Sequence, residues 1–270
     1  MSTQFSYDVF ISEPVAQHVT ELVPNGDRPM WSPLSTESSA SWDINWRKVA
    51  MRQLQATAQL AMVGINPMTA IRLLRDYGNP WMPERWIAQT AGNSAVGEYV
   101  IQLARRFGWK TLSAVRRAAA AELVGSWGGD RVVIADDDFE SNLAQALGGT
   151  ELDLVIDSVG GAPTRTLVKH LRFGGTLVSY AYQSGQTDSA DVIDLIGRHA
   201  NWTGSWEINW LNRTDSARVH AAYRDLVALV ADGTLRARVD RTMRLEDWKD
   251  AVSLSQNGGG REGKIVFVFD

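Results

Sequence analysis

The sequence predicts an α/β fold built on a parallel sheet whose two faces are both covered by helices. From Asn66 onward, apolar segments of strand length alternate with segments of helical periodicity. Several of the strand segments, such as DLVID at Asp153 to Asp157, have an uninterrupted apolar centre, which is typical of strands buried on both faces. A turn rich in small residues links the first of these strands to an amphipathic helix. Together the observations favour a doubly wound sheet.

Composition places the chain among ordinary globular proteins and excludes several kinds of site. Of its 270 residues 44% are hydrophobic and 21% charged, with a formal net charge of −4 and no cysteine. Without cysteine there is no disulfide, thiolate zinc site or cysteine nucleophile. The slightly acidic balance gives no general attraction to nucleic acid or an anionic membrane. No apolar run reaches membrane-spanning length and no secretion signal precedes the domain, so we expect a cytoplasmic protein.

The chain divides into two zones of different texture. Residues 1–45 are interrupted by Pro14, Pro24, Pro29 and Pro33 and are predicted to form a short, irregular N-terminal segment, for which a fusion remnant is one interpretation. Residues 46–270 are regular, and we assign them to a Rossmann-type dinucleotide-binding domain together with its linking helix.

The first half of this domain begins with a helix. Asn66 and Pro67 are predicted as its N-cap and first residue, with the helix ending near Tyr77. A helix over Val96 to Gly108 buries the face formed by Val100, Leu103, Ala104 and Phe107. The remaining elements predicted here are strands at residues 85–91, 111–115, 131–135 and 153–157, and a helix at about 118–124.

The second half continues the alternation. A helix with Leu167, Val168 and Leu171 on one side is predicted to end at a Gly174-Gly175 C-cap, before a fifth strand at Thr176 to Tyr180. Later helices are marked by Val219 to Val230 and by Trp248 to Val252. The segment Lys264 to Phe269 is predicted as a terminal strand.

The loop from Thr90 to Gly97 carries the first functional indication. Its small residues allow close approach of a pyrophosphate to the helix N-terminus, whose N–H groups and dipole attract anions. By itself such a loop is equally typical of an ordinary strand-to-helix turn. However, Arg116 and Arg117 stand about 20 residues on, where an NAD-binding domain carries an acidic residue. Paired hydrogen bonds from a guanidinium suit a 2′-phosphate, so NADPH is favoured over NADH; the alternative is that both arginines are solvated charges.

Several segments together resemble a known family. They are Gly64 to Ala70, Ala91 to Gly97, Val115-Arg116, Asp157 to Gly161, Gly174 to Tyr180 and Gly204 to Trp206. In order and spacing they resemble the zinc-independent medium-chain dehydrogenase/reductases, and the AGNSAVG loop is similar to that of their mitochondrial-type enoyl thioester reductases. The resemblance implies a Rossmann fold and NADPH-dependent reduction of an α,β-unsaturated thioester or a quinone-like carbonyl.

The resemblance also implies roles for individual residues. Pyrophosphate would lie on Asn93, Ser94, Ala95, Val96 and Gly97, and the 2′-phosphate on Arg116 with Arg117 beside it. Val159 and Gly160 would line the adenosine side, and Tyr180 and Ala181 would lie under the nicotinamide ribose. Lys264 would contact the cofactor, or else be a surface lysine. Trp206 would wall the acyl pocket, or else pack in the core.

The family's catalytic barrel domain is largely missing from the sequence. Barrel motifs expected before the cofactor domain are absent, and only Trp46 to Ala70 resembles the hinge strand and linking helix. Tyr7 is the sole tyrosine before Tyr77, and its surroundings do not match the catalytic motif. We therefore name no catalytic residue. The segment Pro24 to Pro33 faintly resembles the opening of metallo-β-lactamase-fold hydrolases, but the metal-ligand motif of that fold is absent.

Other chemistries find little support. His18, His170, His199 and His220 lack metal-ligand spacing, so we expect no metal. Asp136 to Asp138 are interpreted as a solvated turn and N-cap cluster. No serine-hydrolase elbow or phosphate-binding loop of an NTPase occurs, and the tryptophans lack interleaved cations for nucleic acid.

Two hypotheses remain. The chain is an NADPH-dependent reductase impaired by loss of the barrel, or a truncated relative that binds NADPH, or only folds, without turnover. We expect a homodimer, because Ile265 to Phe269 and Trp202 to Trp210 would otherwise leave apolar surface exposed.

Overall fold

The computed structural model describes residues 58–78, 84–257 and 263–268. Helices and strands alternate along most of this chain, as the sequence predicts. Their bounds are α1 Asn66–Tyr77, β1 Trp86–Gln89, α2 Ala95–Phe107, β2 Lys110–Val115, α3 Ala118–Ser126, β3 Arg131–Ile134, α4 Phe139–Leu147, β4 Leu152–Asp157, α5 Ala162–Val168, β5 Leu171–Ser179, α6 Val192–Arg198, β6 Asn201–Gly204, α7 Glu207–Arg213, α8 Ser216–Ala231, β7 Val239–Arg244, α9 Trp248–Asn257 and β8 Lys264–Val268. A single 3-10 turn, Leu245–Asp247, precedes α9.

Six of the strands form one parallel sheet in the order β3-β2-β1-β4-β5-β6. The chain therefore moves outward from β1 to β3, returns to the centre at β4 and then moves outward on the other side. This is the doubly wound order of the Rossmann fold, and it confirms the predicted fold class. In this order β1 and β4 are neighbours at the centre of the sheet, and the helices that follow them, α2 and α5, pack on opposite faces.

Apolar residues fill both faces of this sheet. Along β4, Leu154 and Ile156 pack against α1 and α2, whereas the intervening Val155 packs against α4 and α5. Adjacent residues of a strand point to opposite faces, so a strand that is apolar throughout supplies two separate cores. Leu103 and Leu143, both fully buried, mark the two helical layers.

Two predicted helix boundaries need correction. Helix α1 has Ile65 as its N-cap and no side-chain cap, so Asn66 is the first helical residue rather than the cap. Gly174 and Gly175 do not end a helix, because α5 stops at Val168 and β5 already begins at Leu171. The pairing of β4 with β5 shifts register between Leu152 and Leu154, and Gly174 has a φ of 72°. The glycine pair thus belongs to a bulge in a strand, the other usual setting for such residues.

The end of the described chain forms a small second sheet. Strand β8 pairs in parallel with β7 and not with the six-stranded sheet. Beside the start of β7, the side-chain amide of Gln59 donates to the carbonyl of Ala237 at 2.8 Å and accepts from its N–H at 2.6 Å. This double hydrogen bond ties the first described residues to a segment near the end. No helix within the described ranges is long and apolar enough to cross a membrane.

Candidate functional site

The carboxyl ends of β1, β4 and β5 meet at one edge of the sheet. Because the strand order reverses between β1 and β4, a crevice opens outside these ends, and open α/β sheets bind their ligands at such a reversal. Two loops border it, the β1–α2 loop (residues 90–94) and the β4–α5 loop (residues 158–161). Most of the residues predicted from the sequence as cofactor contacts lie on these two loops, in the first turn of α2, or directly after the ends of β2 and β5.

The β1–α2 loop presents the N-terminus of a 13-residue helix. Ser94 is its N-cap, and the Ser94 hydroxyl accepts the N–H of Gly97 at 3.0 Å. Within the described ranges, the N–H groups of Asn93, Ala95 and Val96 donate to no protein acceptor. Three free donors at the positive end of a helix dipole are suited to bind an anion such as a pyrophosphate.

Close packing explains the small residues of this loop. A Cβ atom on Gly97 would lie 2.4 Å from the carbonyl oxygen of Gly92, and one on Gly92 would lie 2.5 Å from the Cβ of Ser113. Neither position has room for a side chain. Ala91 has a φ of 47°, a left-handed conformation that is uncommon for a residue other than glycine. The tight turn therefore brings the start of α2 directly onto β1 and β2.

Two positively charged side chains follow the end of β2. Arg116 and Arg117 are exposed and directly follow buried Val115. In the described part of the chain neither guanidinium has an ion-pair or hydrogen-bond partner, and Arg117 caps α3 with its backbone only. Cations at a helix N-terminus oppose the helix dipole, so this placement gains nothing for the fold and leaves both side chains available for a ligand.

The β4–α5 loop is built around Asp157. This carboxylate is buried at the end of β4, and its Oδ1 accepts the N–H groups of Val159 and Gly160, each at 3.0 Å. Gly160 and Gly161 have φ values of 79° and 77°, which only glycine adopts easily. Asp157 thus fixes a tight turn at the adenosine side of the predicted site. Sequence reasoning quoted Asp157 within a motif but gave it no role.

A group of hydroxyls closes the inner end of the crevice. Tyr180 follows β5, and its N–H donates to the carbonyl of Asp157 at 2.9 Å. Burial raises the pKa of Tyr180, and the nearby hydroxyls of Ser158 and Ser94 oppose part of that rise. The fully buried Oγ of Ser158 has no conventional hydrogen-bond partner of its own. Ala181, the next residue along the chain, is exposed.

Trp206 lies at the end of β6, and its side chain is 60% exposed, so it does not pack in the core. The adjacent Glu207 is buried and pairs with Arg72 of α1 at 3.0 Å. Burial raises the pKa of Glu207, while Arg72 partly opposes the rise. This ion pair could not be predicted from residue patterns, because its two members are 135 positions apart along the chain.

Lys264 was predicted to contact the cofactor or to lie on the surface. It begins β8, and its N–H donates to the carbonyl of Arg238 at 2.9 Å. Arg238 in turn pairs with Glu98 of α2 at 3.3 Å, which places Lys264 on the α2 side of the domain. Its proposed contact with the cofactor stays a prediction.

The described residues include no cluster of side chains that could bind zinc. No group of three or more His, Asp or Glu side chains there is arranged to hold a metal ion. Asp136 and Asp138 instead form a turn before α4, in which Asp136 Oδ1 accepts the N–H of Asp138 at 3.2 Å.

The fold and this crevice define a Rossmann-type domain of the dinucleotide-binding class. A family model described as zinc-binding dehydrogenase matches residues 95–230, half of the chain, and the chain therefore belongs to the zinc-binding dehydrogenase family. The mitochondrial enoyl-[acyl-carrier-protein] reductase of Xenopus tropicalis is 31% identical over 207 residues, which cover 74% of this chain. They cover only 59% of the relative, so the chain spans less than two thirds of that protein.

Solved structures have the same fold. A putative NADPH:quinone reductase from Bacillus thuringiensis superposes with a TM-score of 0.69 at 21% identity, covering 78% of this chain and 64% of that chain. The Etr1p complex with NADP and crotonyl-CoA gives a TM-score of 0.67 at 20% identity, over 82% and 65% of the two chains. A mitochondrial 2-enoyl thioester reductase Etr1p/Etr2p heterodimer from Candida tropicalis gives 0.64 at 21% identity, over 74% and 60%. The predicted resemblance to enoyl thioester reductases is confirmed.

Proposed function

We propose that this domain binds NADPH in the crevice between β1 and β4. The observation that carries the proposal is the set of free N–H groups at Asn93, Ala95 and Val96, with Arg116 at the end of the neighbouring strand. The N–H groups would hold the pyrophosphate and Arg116 the 2′-phosphate, with Arg117 as a second cation. A buried Ser158 Oγ without a conventional partner and a turn too tight for side chains at Gly92 and Gly97 also fit a ligand lying directly on the backbone.

The other contacts of the proposal follow from position. Val159 and Gly160 would line the adenosine side, Tyr180 and Ala181 would lie under the nicotinamide ribose, and Trp206 would wall the acyl pocket. When bound, NADPH supplies a hydride. The chain's own residues orient the cofactor and restrict the access of water to it.

In the whole protein we propose reduction of an α,β-unsaturated thioester or a quinone-like carbonyl. Support comes from the similar proteins, one of which was solved with NADP and crotonyl-CoA. A second candidate, NADPH binding without turnover, is favoured by the 60% exposure of Trp206, because a wall of a working acyl pocket should be covered by the opposite side of the cleft. Cytoplasmic location also belongs to the proposal, although the matched Xenopus reductase is mitochondrial.

One experiment separates these candidates. NADPH binding is measured by its fluorescence, and NADPH oxidation is followed with crotonyl-CoA, longer enoyl-CoAs and a quinone. A turnover of about 10 s⁻¹, the median for enzymes, would support the reductase. Micromolar binding with turnover several decades lower would support the binding-only candidate, because positioning and general acid catalysis contribute many decades of rate. A chain that does not bind NADPH at all contradicts both.

We further propose a homodimer formed at the free edge of β6. Among the described strands, β6 pairs only with β5, and Trp202 on it is 45% exposed. Helix α6 beside it exposes Val192, Ile193 and Ile196 by 69 to 73%. An open strand edge next to apolar side chains favours association with a second sheet. The terminal segment Ile265 to Phe269, also expected to contribute, is less suited because Ile265 is buried and pairs with β7. Phe269 lies outside the described residues.

A further inference from the structure

Thr90 connects the two loops that border the crevice. It directly follows β1, is 3% exposed, and belongs to the β1–α2 loop. Its hydroxyl donates to Oδ1 of Asp157 at 2.9 Å and accepts the N–H of Ser158 at 2.9 Å. Both functions of the hydroxyl are therefore used toward the β4–α5 loop. Since the Thr90 N–H also donates to Ile156 at 3.0 Å, the residue is fixed against β4 by its backbone as well.

One carboxylate oxygen of Asp157, Oδ1, accepts hydrogen bonds from both sides of the crevice. Its Oδ1 accepts from Thr90 across the crevice, and from Val159, Gly160 and Thr164 on its own side. A carboxylate held in this way is a shared acceptor, and hydrogen bonds to a charged acceptor are stronger than those between neutral groups. A shift of the β1–α2 loop is thereby transmitted to the backbone turn on the other side.

We propose that Thr90 is a positioning residue for the cofactor, which sets the distance between the two loops so that both contact one dinucleotide. The inference rests on the proposed NADPH site and assigns Thr90 no contact with the ligand. Its hydroxyl acts through Asp157 and Ser158. Without the Thr90 hydroxyl, the N–H groups of Ala95 and Val96 are still present. The β1–α2 loop that precedes them, however, can then move relative to Val159 and Gly160.

Thr164 offers a matched control. It is fully buried in α5, and its hydroxyl donates to the same Oδ1 of Asp157 at 2.7 Å. Thr164→Val therefore removes a hydrogen bond of the same kind from the same carboxylate, at equal or greater burial. Thr164, however, lies on the same side of the crevice as Asp157. A merely structural role for Thr90 would make the two valine variants equivalent.

The test compares the full-length chain with Thr90→Val, Thr90→Ser and Thr164→Val. The dissociation constant for NADPH is measured by nicotinamide fluorescence, and amide hydrogen exchange is measured without nucleotide. We expect Thr90→Val to weaken NADPH about tenfold, because both hydrogen bonds that its hydroxyl makes to the β4–α5 loop are lost, while Thr164→Val and Thr90→Ser stay within about threefold of the parent. Exchange in Thr90→Val should accelerate in residues 91–97 and in residues 158–160. In Thr164→Val, exchange should accelerate only at residues 157–164.

The results separate the inference from the function on which it rests. If the parent chain fails to bind NADPH, the proposed function is wrong, and the exchange data alone decide whether Thr90 joins the loops. Equal weakening of NADPH by the two valine variants overturns the inference, as does unchanged exchange at residues 91–97 in Thr90→Val.

Discussion

Arg72 and Glu207 form a buried ion pair that joins α1 to α7. Arg72 Nη1 donates to Glu207 Oε2 at 3.0 Å, and the same guanidinium lies 4.5 Å from the centre of the Trp210 ring. The second carboxylate oxygen, Oε1, is buried without a hydrogen-bond partner. A carboxylate satisfied on one side only retains much of its desolvation cost, which agrees with the raised pKa of Glu207.

The first prediction concerns the pH dependence of stability at Glu207. Because its folded-state pKa is raised, its contribution to the free energy of unfolding is fully present below the unfolded pKa and is lost as pH rises through the folded pKa. Glu207→Gln abolishes this titration. We therefore expect the stability of the variant relative to the parent to rise as pH increases above about 4.5, the ordinary pKa of a glutamate, and to level off above the raised pKa of Glu207, measured by urea unfolding.

Glu140→Gln is the control for this measurement. Lys169 lowers the pKa of exposed Glu140, so removal of this carboxylate should change the relative stability in the opposite direction, if at all. A relative stability of Glu207→Gln that does not vary with pH would contradict the prediction.

A second prediction tests the choice of cofactor. Arg116→Ala should weaken NADPH by one to two decades, since a pair of charge-assisted hydrogen bonds contributes on the order of 1.5 to 3 kcal/mol. NADH, which lacks the 2′-phosphate, should bind about as well as to the parent. Titration followed by energy transfer from tryptophan to the nicotinamide measures both. Arg224→Ala, which removes an exposed cation on α8, should change the affinity for neither NADPH nor NADH. Equal affinity of the parent chain for the two nucleotides would refute the assignment of Arg116 to the 2′-phosphate.

The third prediction uses two glycines in different surroundings. Gly97→Ala places a Cβ 2.4 Å from a backbone oxygen, so the start of α2 must shift, and both stability and NADPH affinity should fall. At Gly125, within α3, a Cβ meets nothing within 4 Å. Gly125→Ala should therefore raise the unfolding free energy by about 0.5 to 1 kcal/mol. Thermal melts with and without NADPH report both; an undiminished affinity in Gly97→Ala would show that the turn has room to adjust.

Metal content provides a fourth prediction. The sequence has no cysteine, so a zinc site of the thiolate type is unavailable. Elemental analysis of the purified protein should find no stoichiometric zinc, and a chelator should leave the melting temperature unchanged. One zinc per chain would overturn this expectation.

The fifth prediction concerns the β6 edge. Light scattering should give about twice the 29.8 kDa mass of the chain, and Trp202→Lys should shift the equilibrium toward monomer because a charge would be buried in the interface. Trp248→Lys changes a tryptophan of similar exposure on α9 and should leave the dimer intact. A parent chain that is monomeric at micromolar concentration would exclude the homodimer.

Local periodicity was sufficient to predict most of the Rossmann domain. The buried face of α2 and the apolar centre of β4 follow from residue spacing, although α2 was predicted to begin at Val96 and begins at Ala95, with Ser94 as its cap. Gly174 and Gly175 were misassigned because paired glycines suit both a helix end and a strand bulge, and only the pairing of β4 with β5 distinguishes them. The Thr90–Asp157 contact could not be predicted, since its members are 67 residues apart and meet only through strand order.

The double hydrogen bond between Gln59 and Ala237 has a consequence for synthesis on the ribosome. Its partners are separated by 178 positions, so the segment around Gln59, just before α1, cannot make these hydrogen bonds until most of the domain has been translated. Closing so long a loop costs chain entropy that local contacts do not recover, which slows the final step of folding. We therefore expect the segment around Gln59 to join the domain only after residue 237 has left the ribosome.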